Sequence, residues 1–99
     1  MKATWNGTTI AEADQADLIR IEGNWYFPPE AIKKEFYSES DLHTECFWKG
    51  TASYYDITVD GETNDGAAWY YPQLKDGSVQ RVGKDFSNYV AFWRGVEVS

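Results

Sequence analysis

The only histidine and the only cysteine of the chain lie close together in the sequence, near a lysine. His43, Cys46 and Lys49 follow one another at intervals of three positions. A thiol beside an ammonium group loses its proton more readily and becomes a nucleophile, and an imidazole can act as its base. An isolated cysteine in a small domain more often packs as a small apolar side chain. His43, Cys46 and Lys49 are therefore candidate catalytic residues, and the structural alternative stays open.

A second group of candidates combines this lysine with aromatic rings. Lys49 precedes Gly50 and could hold an anionic ligand, or it could be a solvated lysine at the end of a strand. Trp69 and Tyr71 are two positions apart, so in a strand they project from one face while Tyr70 projects from the other. These rings can line either the core or a pocket.

Several kinds of chemistry are excluded by what the chain lacks. One cysteine cannot form an internal disulfide or a CxxC redox pair, and one cysteine with one histidine is too few for a structural zinc site. No glycine-rich phosphate loop is present, since the segment Lys49-Gly50-Thr51 lacks the glycines that would precede it in such a loop. We therefore predict no metal site and no cofactor.

The chain is strongly acidic. Sixteen Asp and Glu residues against nine Lys and Arg residues give a formal net charge of −7, and Lys33-Lys34 is the only adjacent basic pair. Nucleic acids and anionic membranes require clustered positive charge, so neither is an expected partner. No apolar run approaches the roughly 20 residues of a membrane-spanning helix, and residues 1–6 lack the pattern of a signal peptide. We expect a cytoplasmic protein.

Turn signals at short intervals favour antiparallel β structure. Asn6-Gly7 is typical of a two-residue type I′ hairpin turn, and Gly23-Asn24 predicts the turn of a second hairpin. Residues 51–59 alternate as a half-buried strand does, and residues 67–71 are predicted to return beside it. Two further strands are predicted near the end of the sequence, over residues 89–93 and 96–98.

One short helix is expected among these strands. Pro28-Pro29 and Glu30 are typical of a helix start, and apolar residues at near-helical spacing predict a helix over residues 29–37. Residues 79–86 predict one irregular helical turn. About seven strands and one helix indicate a mainly β (α+β) fold in one domain, residues 1–99. We expect a single antiparallel sheet that is strongly curled or barrel-like and whose aromatic face is covered.

Four sequence blocks resemble the successive blocks of domain of unknown function family four-two-seven, in the expected order and over most of the chain. The blocks are Trp25-Tyr26-Phe27-Pro28-Pro29-Glu30, Thr44-x-Cys46-x-x-Lys49-Gly50-x-Ala52-x-Tyr54, Ala67-Ala68-Trp69-x-Tyr71-Pro72 and Gly83 to Tyr89-Val90-Ala91-Phe92. The family usually has a proline directly after the cysteine, where this chain has Phe47. The resemblance therefore leaves the local turn at Cys46 open.

The resemblance implies a mainly antiparallel β domain akin to the β-tent proteins. Members of that wider group hold zinc with paired CxxC motifs, and this chain has none, so the resemblance implies closure by an aromatic core. The family is also labelled nucleotidyltransferase-like, but Gly77-Ser78 is followed only by Asp85, without the spaced aspartates that hold magnesium in such enzymes. By resemblance, the positions lining a shared site are Thr44, Cys46, Lys49, Gly50, Tyr54, Trp69 and Tyr71.

Three functions remain open from the sequence. The leading hypothesis is a binding module whose concave sheet face, lined by Tyr54, Trp69 and Tyr71 with Cys46 and Lys49 at its rim, holds a small ligand, either neutral or anionic. The second is an enzyme with Cys46 as its nucleophile, assisted by Lys49 or His43. The third is an interaction module in which surplus aromatic surface closes a homo-oligomer.

Overall fold

Nine strands, one short helix and three single 3-10 turns make up the fold. A computed structural model describes all residues from 1 to 99. The strands are β1 (Lys2–Trp5), β2 (Thr8–Glu12), β3 (Ile19–Ile21), β4 (Asn24–Tyr26), β5 (Tyr37–Cys46), β6 (Gly50–Val59), β7 (Glu62–Tyr70), β8 (Val90–Phe92) and β9 (Glu97–Val98). The helix is α1 (Ser78–Val82), and the 3-10 turns are Gln15–Asp17, Pro29–Ala31 and Lys34–Phe36. The chain is mainly β with one short helix, as predicted, but that helix overlaps the irregular helical turn predicted over residues 79–86 and not the helix predicted over residues 29–37.

The strands form three sheets rather than the predicted single sheet, and one antiparallel bridge between Phe27 and Val90 joins the β3–β4 hairpin to the four-stranded sheet. Their orders are β2-β1-β9, β3-β4 and β5-β6-β7-β8, and every pairing is antiparallel. No sheet closes on itself, so the expected curled or barrel-like form is not observed. The last strand, β9, pairs with β1 and not with its predecessor β8, because the chain turns away through Arg94 and Gly95, both at positive φ.

Two-residue turns join the strands of three hairpins, β1–β2, β3–β4 and β6–β7. Asn6 and Gly7 both have positive φ, as a type I′ turn requires, and so do Asp60 and Gly61 between β6 and β7. The β3–β4 hairpin also forms, but its turn residues are Glu22 and Gly23, one position earlier than predicted. The earlier turn makes Asn24 the first residue of β4, and Asn24 and Tyr26 then share one face of that strand.

The four-stranded sheet is covered on both faces, because its residues alternate between two apolar clusters. On one face, Ile57, Val59 and Phe92 pack with residues of β1 and β2. On the other, Ala52, Tyr54 and Ala91 pack with the β3–β4 hairpin and with Phe86. Tyr70 belongs to the first cluster, whereas Trp69 and Tyr71 belong to the second, as the alternation of the sequence predicts.

The predicted helix over residues 29–37 is wrong. Pro29–Ala31 and Lys34–Phe36 each form one 3-10 turn, and the chain between them is extended. Ile32 forms a bridge with Ala11 of β2, and the Lys33 amide donates to the Ile10 carbonyl at 2.9 Å. These contacts with β2 use backbone groups that a helix would need for itself, so tertiary pairing overrides the local spacing.

The polar stretch from residue 38 to 44 lies within β5, the longest edge strand. Most of its side chains are exposed, so it lacks the apolar alternation that identifies a half-buried strand. β5 pairs with β6 through residues that include His43, Thr44 and Cys46, with an irregularity between Glu39 and His43. Residues 43–46 are in regular register, so their side chains alternate between the two faces.

Candidate functional site

A small cavity lies against the second apolar cluster, where the β3–β4 hairpin packs on the four-stranded sheet. Its volume is about 150 Å³, and five of its seven lining residues are aromatic. Four of the seven lining residues are predicted site residues, namely Lys49, Tyr54, Trp69 and Tyr71. The lining residues are Asn24, Tyr26, Lys49, Tyr54, Trp69, Tyr71 and Trp93.

The sheet register brings the rings together. Tyr54 of β6 is the direct cross-strand partner of Trp69 of β7, and Trp69 in turn is the partner of Ala91 of β8. Trp93 follows β8 on the same face as Ala91, and its ring centroid lies 5.8 Å from that of Trp69 at an interplanar angle of 78°. Trp93 forms the rim, with 42% of its surface exposed.

The β3–β4 hairpin supplies the opposite wall. The Trp69 indole N–H donates to the Tyr26 hydroxyl at 3.0 Å, and the two rings meet edge to face with centroids 6.2 Å apart. Burial raises the pKa of Tyr26 to about 12, against the opposing effect of the hydrogen bond from Trp69. Burial also raises the pKa of Tyr71. Both hydroxyls are therefore neutral hydrogen-bonding groups at physiological pH.

Lys49 brings a buried positive charge to this aromatic cavity. Its side chain is 7% exposed, and its ammonium pairs with the carboxylate of Glu22 at the tip of the β3–β4 hairpin. This is the only ion pair in the chain. The Lys49 Nζ also lies 4.9 Å from the ring centroid of Trp48 and 5.6 Å from that of Tyr71, within the range of cation–π attraction.

Two predicted site residues lie behind the cavity wall. Thr44 Oγ1 and the Tyr54 hydroxyl are hydrogen bonded at 2.8 Å, so Thr44 holds the Tyr54 ring from the β5 side. Cys46 is half-buried and packs against the second apolar cluster, and it does not line the cavity. Lys49, expected at the rim, lines the cavity as a buried side chain.

The last two predicted site residues, His43 and Gly50, line a separate groove of about 430 Å³. His43 Nδ1 lies 3.2 Å from the Ser53 hydroxyl, its cross-strand partner on β6. Cys46 is three positions further along β5, on the opposite face of the sheet. The structure therefore separates His43 from Cys46. The groove is lined by His43, Gly50, Thr51, Ser53, Pro72, Gln73, Leu74 and Lys75.

The comparison with protein families agrees with the sequence blocks. A family model described as domain of unknown function (DUF427) matches residues 1–98. The chain belongs to this family. No curated protein matches it.

In this DUF427 chain, Ser78 and Asp85, the residues considered above for a transferase-like magnesium site, make local hydrogen bonds to the backbone. Ser78 is buried, and its hydroxyl donates to the Lys75 carbonyl at 2.7 Å. Asp85 accepts a hydrogen bond from the Ser87 amide at 2.9 Å, and this bond lowers the pKa of Asp85. No three His, Cys, Asp or Glu side chains are grouped so that they could hold a metal ion. No helix is both long and apolar enough to cross a membrane.

The sequence patterns did not indicate four of the residues at this cavity and its ion pair, which are Glu22, Asn24, Tyr26 and Trp93. Alternation along the predicted strand over residues 89–93 places Trp93 on the same face as Ala91, which was a usable signal. No comparable signal exists for Glu22, because its partner Lys49 is 27 positions away and the two meet only when the hairpin packs on the sheet.

The environment of Cys46 predicts slow alkylation. We expect iodoacetamide to modify the folded chain severalfold more slowly than the chain unfolded in urea, because the thiol is half-buried against apolar side chains. Mass spectrometry at timed intervals, at one pH for both samples, measures the two rates. A folded chain that reacts as fast as the unfolded one, or faster, would contradict this expectation and favour the nucleophile hypothesis.

Proposed function

We propose that this DUF427 domain binds a small ligand that places a flat, ring-sized group between the aromatic walls and directs a hydrogen-bond acceptor at Lys49. The observation that carries the proposal is the buried ammonium of Lys49 in a cavity otherwise lined mainly by rings. Ligand sites commonly combine apolar and aromatic walls with a few convergent polar groups, which is the composition found here.

The hydrogen-bonding capacity of Lys49 supports an acceptor on the ligand. An ammonium group carries three N–H donors. Within the chain, Glu22 is the only hydrogen-bond acceptor that contacts the Lys49 ammonium. The side chain also lines the cavity, so the remaining donors are available to a molecule that enters it. The ammonium is otherwise surrounded by the rings of Trp48 and Tyr71, so an acceptor group on a ligand would give it a second hydrogen bond.

The size of the cavity limits the ligand. Drug-sized ligands occupy pockets of about 300–1,000 Å³, whereas an apolar cavity of about 150 Å³ can take one benzene-sized group. The DUF427 cavity, at about 150 Å³, belongs to the second class. Its ring centroids, 5.8 to 6.2 Å apart, form edge-to-face and tilted contacts against which one more ring can pack.

Thermal shift with benzoate and benzamide tests the proposal. A ligand at ten times its Kd stabilises the folded state by about 1.4 kcal/mol, which for a domain of this size raises Tm by about 6–11 °C. We expect Lys49→Met and Trp93→Ala each to reduce this shift by more than half, because the first removes the ammonium and the second removes the rim ring.

Matched controls separate the cavity from general effects of substitution. Lys75→Met removes a lysine that does not line the cavity, and Trp25→Ala removes a tryptophan outside it. Both variants should keep the wild-type shift. The proposal fails if neither probe stabilises the wild type at millimolar concentration, or if the control variants lose the shift as the cavity variants do.

A further inference from the structure

The Glu22 carboxylate is already paired with the ammonium that an anionic ligand in the cavity would meet. Its oxygen contacts the Lys49 ammonium, and the pair leaves no net charge beside the cavity. A free anion approaching Lys49 therefore meets a neutralised ammonium and a chain whose formal net charge is −7. An anion gains a full charge-assisted bond only if Glu22 withdraws.

The exposed position of Glu22 favours withdrawal of its carboxylate from Lys49. Its side chain is 57% exposed, against 7% for Lys49, so water can solvate the carboxylate when it leaves. Glu22 is one of the two turn residues of a hairpin whose strands have only three residues each, and no other residue pairs with its carboxylate. A buried ammonium without a partner is costly, but a ligand anion that replaces Glu22 keeps the Lys49 charge paired throughout the exchange.

We propose that Glu22 is an internal competitor for the anion position on Lys49, and that the ligand of this site is a small monoanion, a carboxylate on a ring-sized group, which binds as Glu22 is displaced into solvent. This inference rests on the proposed function, and it adds the charge of the ligand and the residue that controls its access. Tethering keeps the Glu22 carboxylate near Lys49 at a high effective concentration, so a free anion must compete with it and binds more weakly than it would to an unpaired Lys49.

Paired probes test the inference. Benzoate and benzamide have nearly the same shape and differ in charge, and tryptophan fluorescence at the cavity reports their Kd. Glu22→Gln removes the competing charge and keeps the length of the side chain. We expect Glu22→Gln to tighten benzoate binding about fivefold to tenfold and to change benzamide binding less than twofold.

Two further variants complete the experiment. Glu62→Gln makes the same change in net charge at the β6–β7 hairpin, outside the cavity, and should leave both Kd values unchanged. Glu22→Asp keeps the charge but shortens the side chain, so benzoate should bind more tightly than to the wild type and less tightly than to Glu22→Gln. Glu22→Asp also provides the test if Glu22→Gln does not fold.

The outcomes separate this inference from the proposed function. If both probes bind and the Glu22 variants leave the ratio of the two Kd values unchanged, the internal competitor is wrong and the proposed function stands. If the Glu22 variants tighten benzamide as much as benzoate, the inference is also wrong, because the effect is then steric. If neither probe binds the wild type or any variant, both proposals fail.

Discussion

Gly50→Ala should lower the free energy of unfolding by about 3–5 kcal/mol, because the new side chain would be in an unfavourable backbone conformation and would also clash with a neighbouring carbonyl. Gly50 has a φ of 130°, a region that residues with a side chain rarely adopt. A Cβ placed there would lie 2.8 Å from the backbone carbonyl oxygen of Gln73. The chain carrying that oxygen is held by the Lys75 amide, which donates to the Lys49 carbonyl at 3.0 Å, so it cannot withdraw freely.

Gly61→Ala provides the matched control, with equilibrium unfolding in urea as the measurement. Gly61 also has positive φ, at 78°, but no atom lies within 4 Å of its added Cβ. Only the conformational cost applies, so a loss of about 1–2 kcal/mol is expected. If the two variants lose the same stability, the close approach of the chain at Gln73 to Gly50 contributes nothing. Because Gly50 follows Lys49 directly, a Gly50→Ala chain that still folds should also bind benzoate more weakly.

The second large effect is a loss of stability in alkali. The phenol of Tyr26 is buried, and its pKa in the folded chain is about 12 against an ordinary value of 10.0. The unfolded chain therefore releases this proton at a lower pH than the folded chain does. The stabilisation is fully present below about pH 10 and is lost as pH rises toward 12, amounting to about 2–3 kcal/mol from Tyr26 alone.

Four other tyrosines act in the same direction, since burial raises the pKa of each. They are Tyr37, Tyr55, Tyr70 and Tyr71. The Tyr70 hydroxyl also donates to the Glu39 carboxylate at 2.9 Å, which opposes its ionisation. We expect the wild-type chain to lose most of its stability between pH 10 and 12, since a small domain has a total of only about 5–15 kcal/mol.

Urea unfolding at several pH values between 7 and 12 measures this loss, and tyrosinate absorbance reports ionisation. Tyr26→Phe should be less stable than the wild type at pH 7, because the Trp69 indole loses its acceptor. Between pH 10 and 12 it should lose about 2–3 kcal/mol less than the wild type. Equal losses in the two proteins would show that Tyr26 does not carry the effect.

Local patterns predicted most of the β structure. Asn6-Gly7 adopts the predicted positive φ angles and its hairpin forms, and the chain returns beside residues 51–59 as predicted. The predictions failed where a distant contact decided the conformation. Residues 29–37 have helical spacing, but the backbone between their two 3-10 turns pairs with β2. The polar part of β5 is a strand because β6 pairs with it, although its own composition shows no strand pattern.

The sequence also predicted one part of the candidate site correctly and grouped another part wrongly. The alternation of residues places Trp69 and Tyr71 on one face, and the structure puts both beside the cavity together with Lys49 and Tyr54. Composition and spacing, however, grouped His43 with Cys46 because they are near each other in the chain. A strand sends residues three positions apart to opposite faces, so His43 meets Ser53 and the Cys46 side chain meets the aromatic cluster.

The sequence by itself determined the mainly antiparallel β class, the family, the residues that share a strand face, and the presence of a lysine near aromatic rings. These properties depend on interactions within a few residues and on the period of two along a strand. Only the tertiary structure decided that the strands divide among three sheets, that Tyr26 and Trp93 complete the cavity, and that Glu22 pairs with Lys49. These depend on which faces pack together between distant segments, and the free energy of that packing is absent from any local pattern.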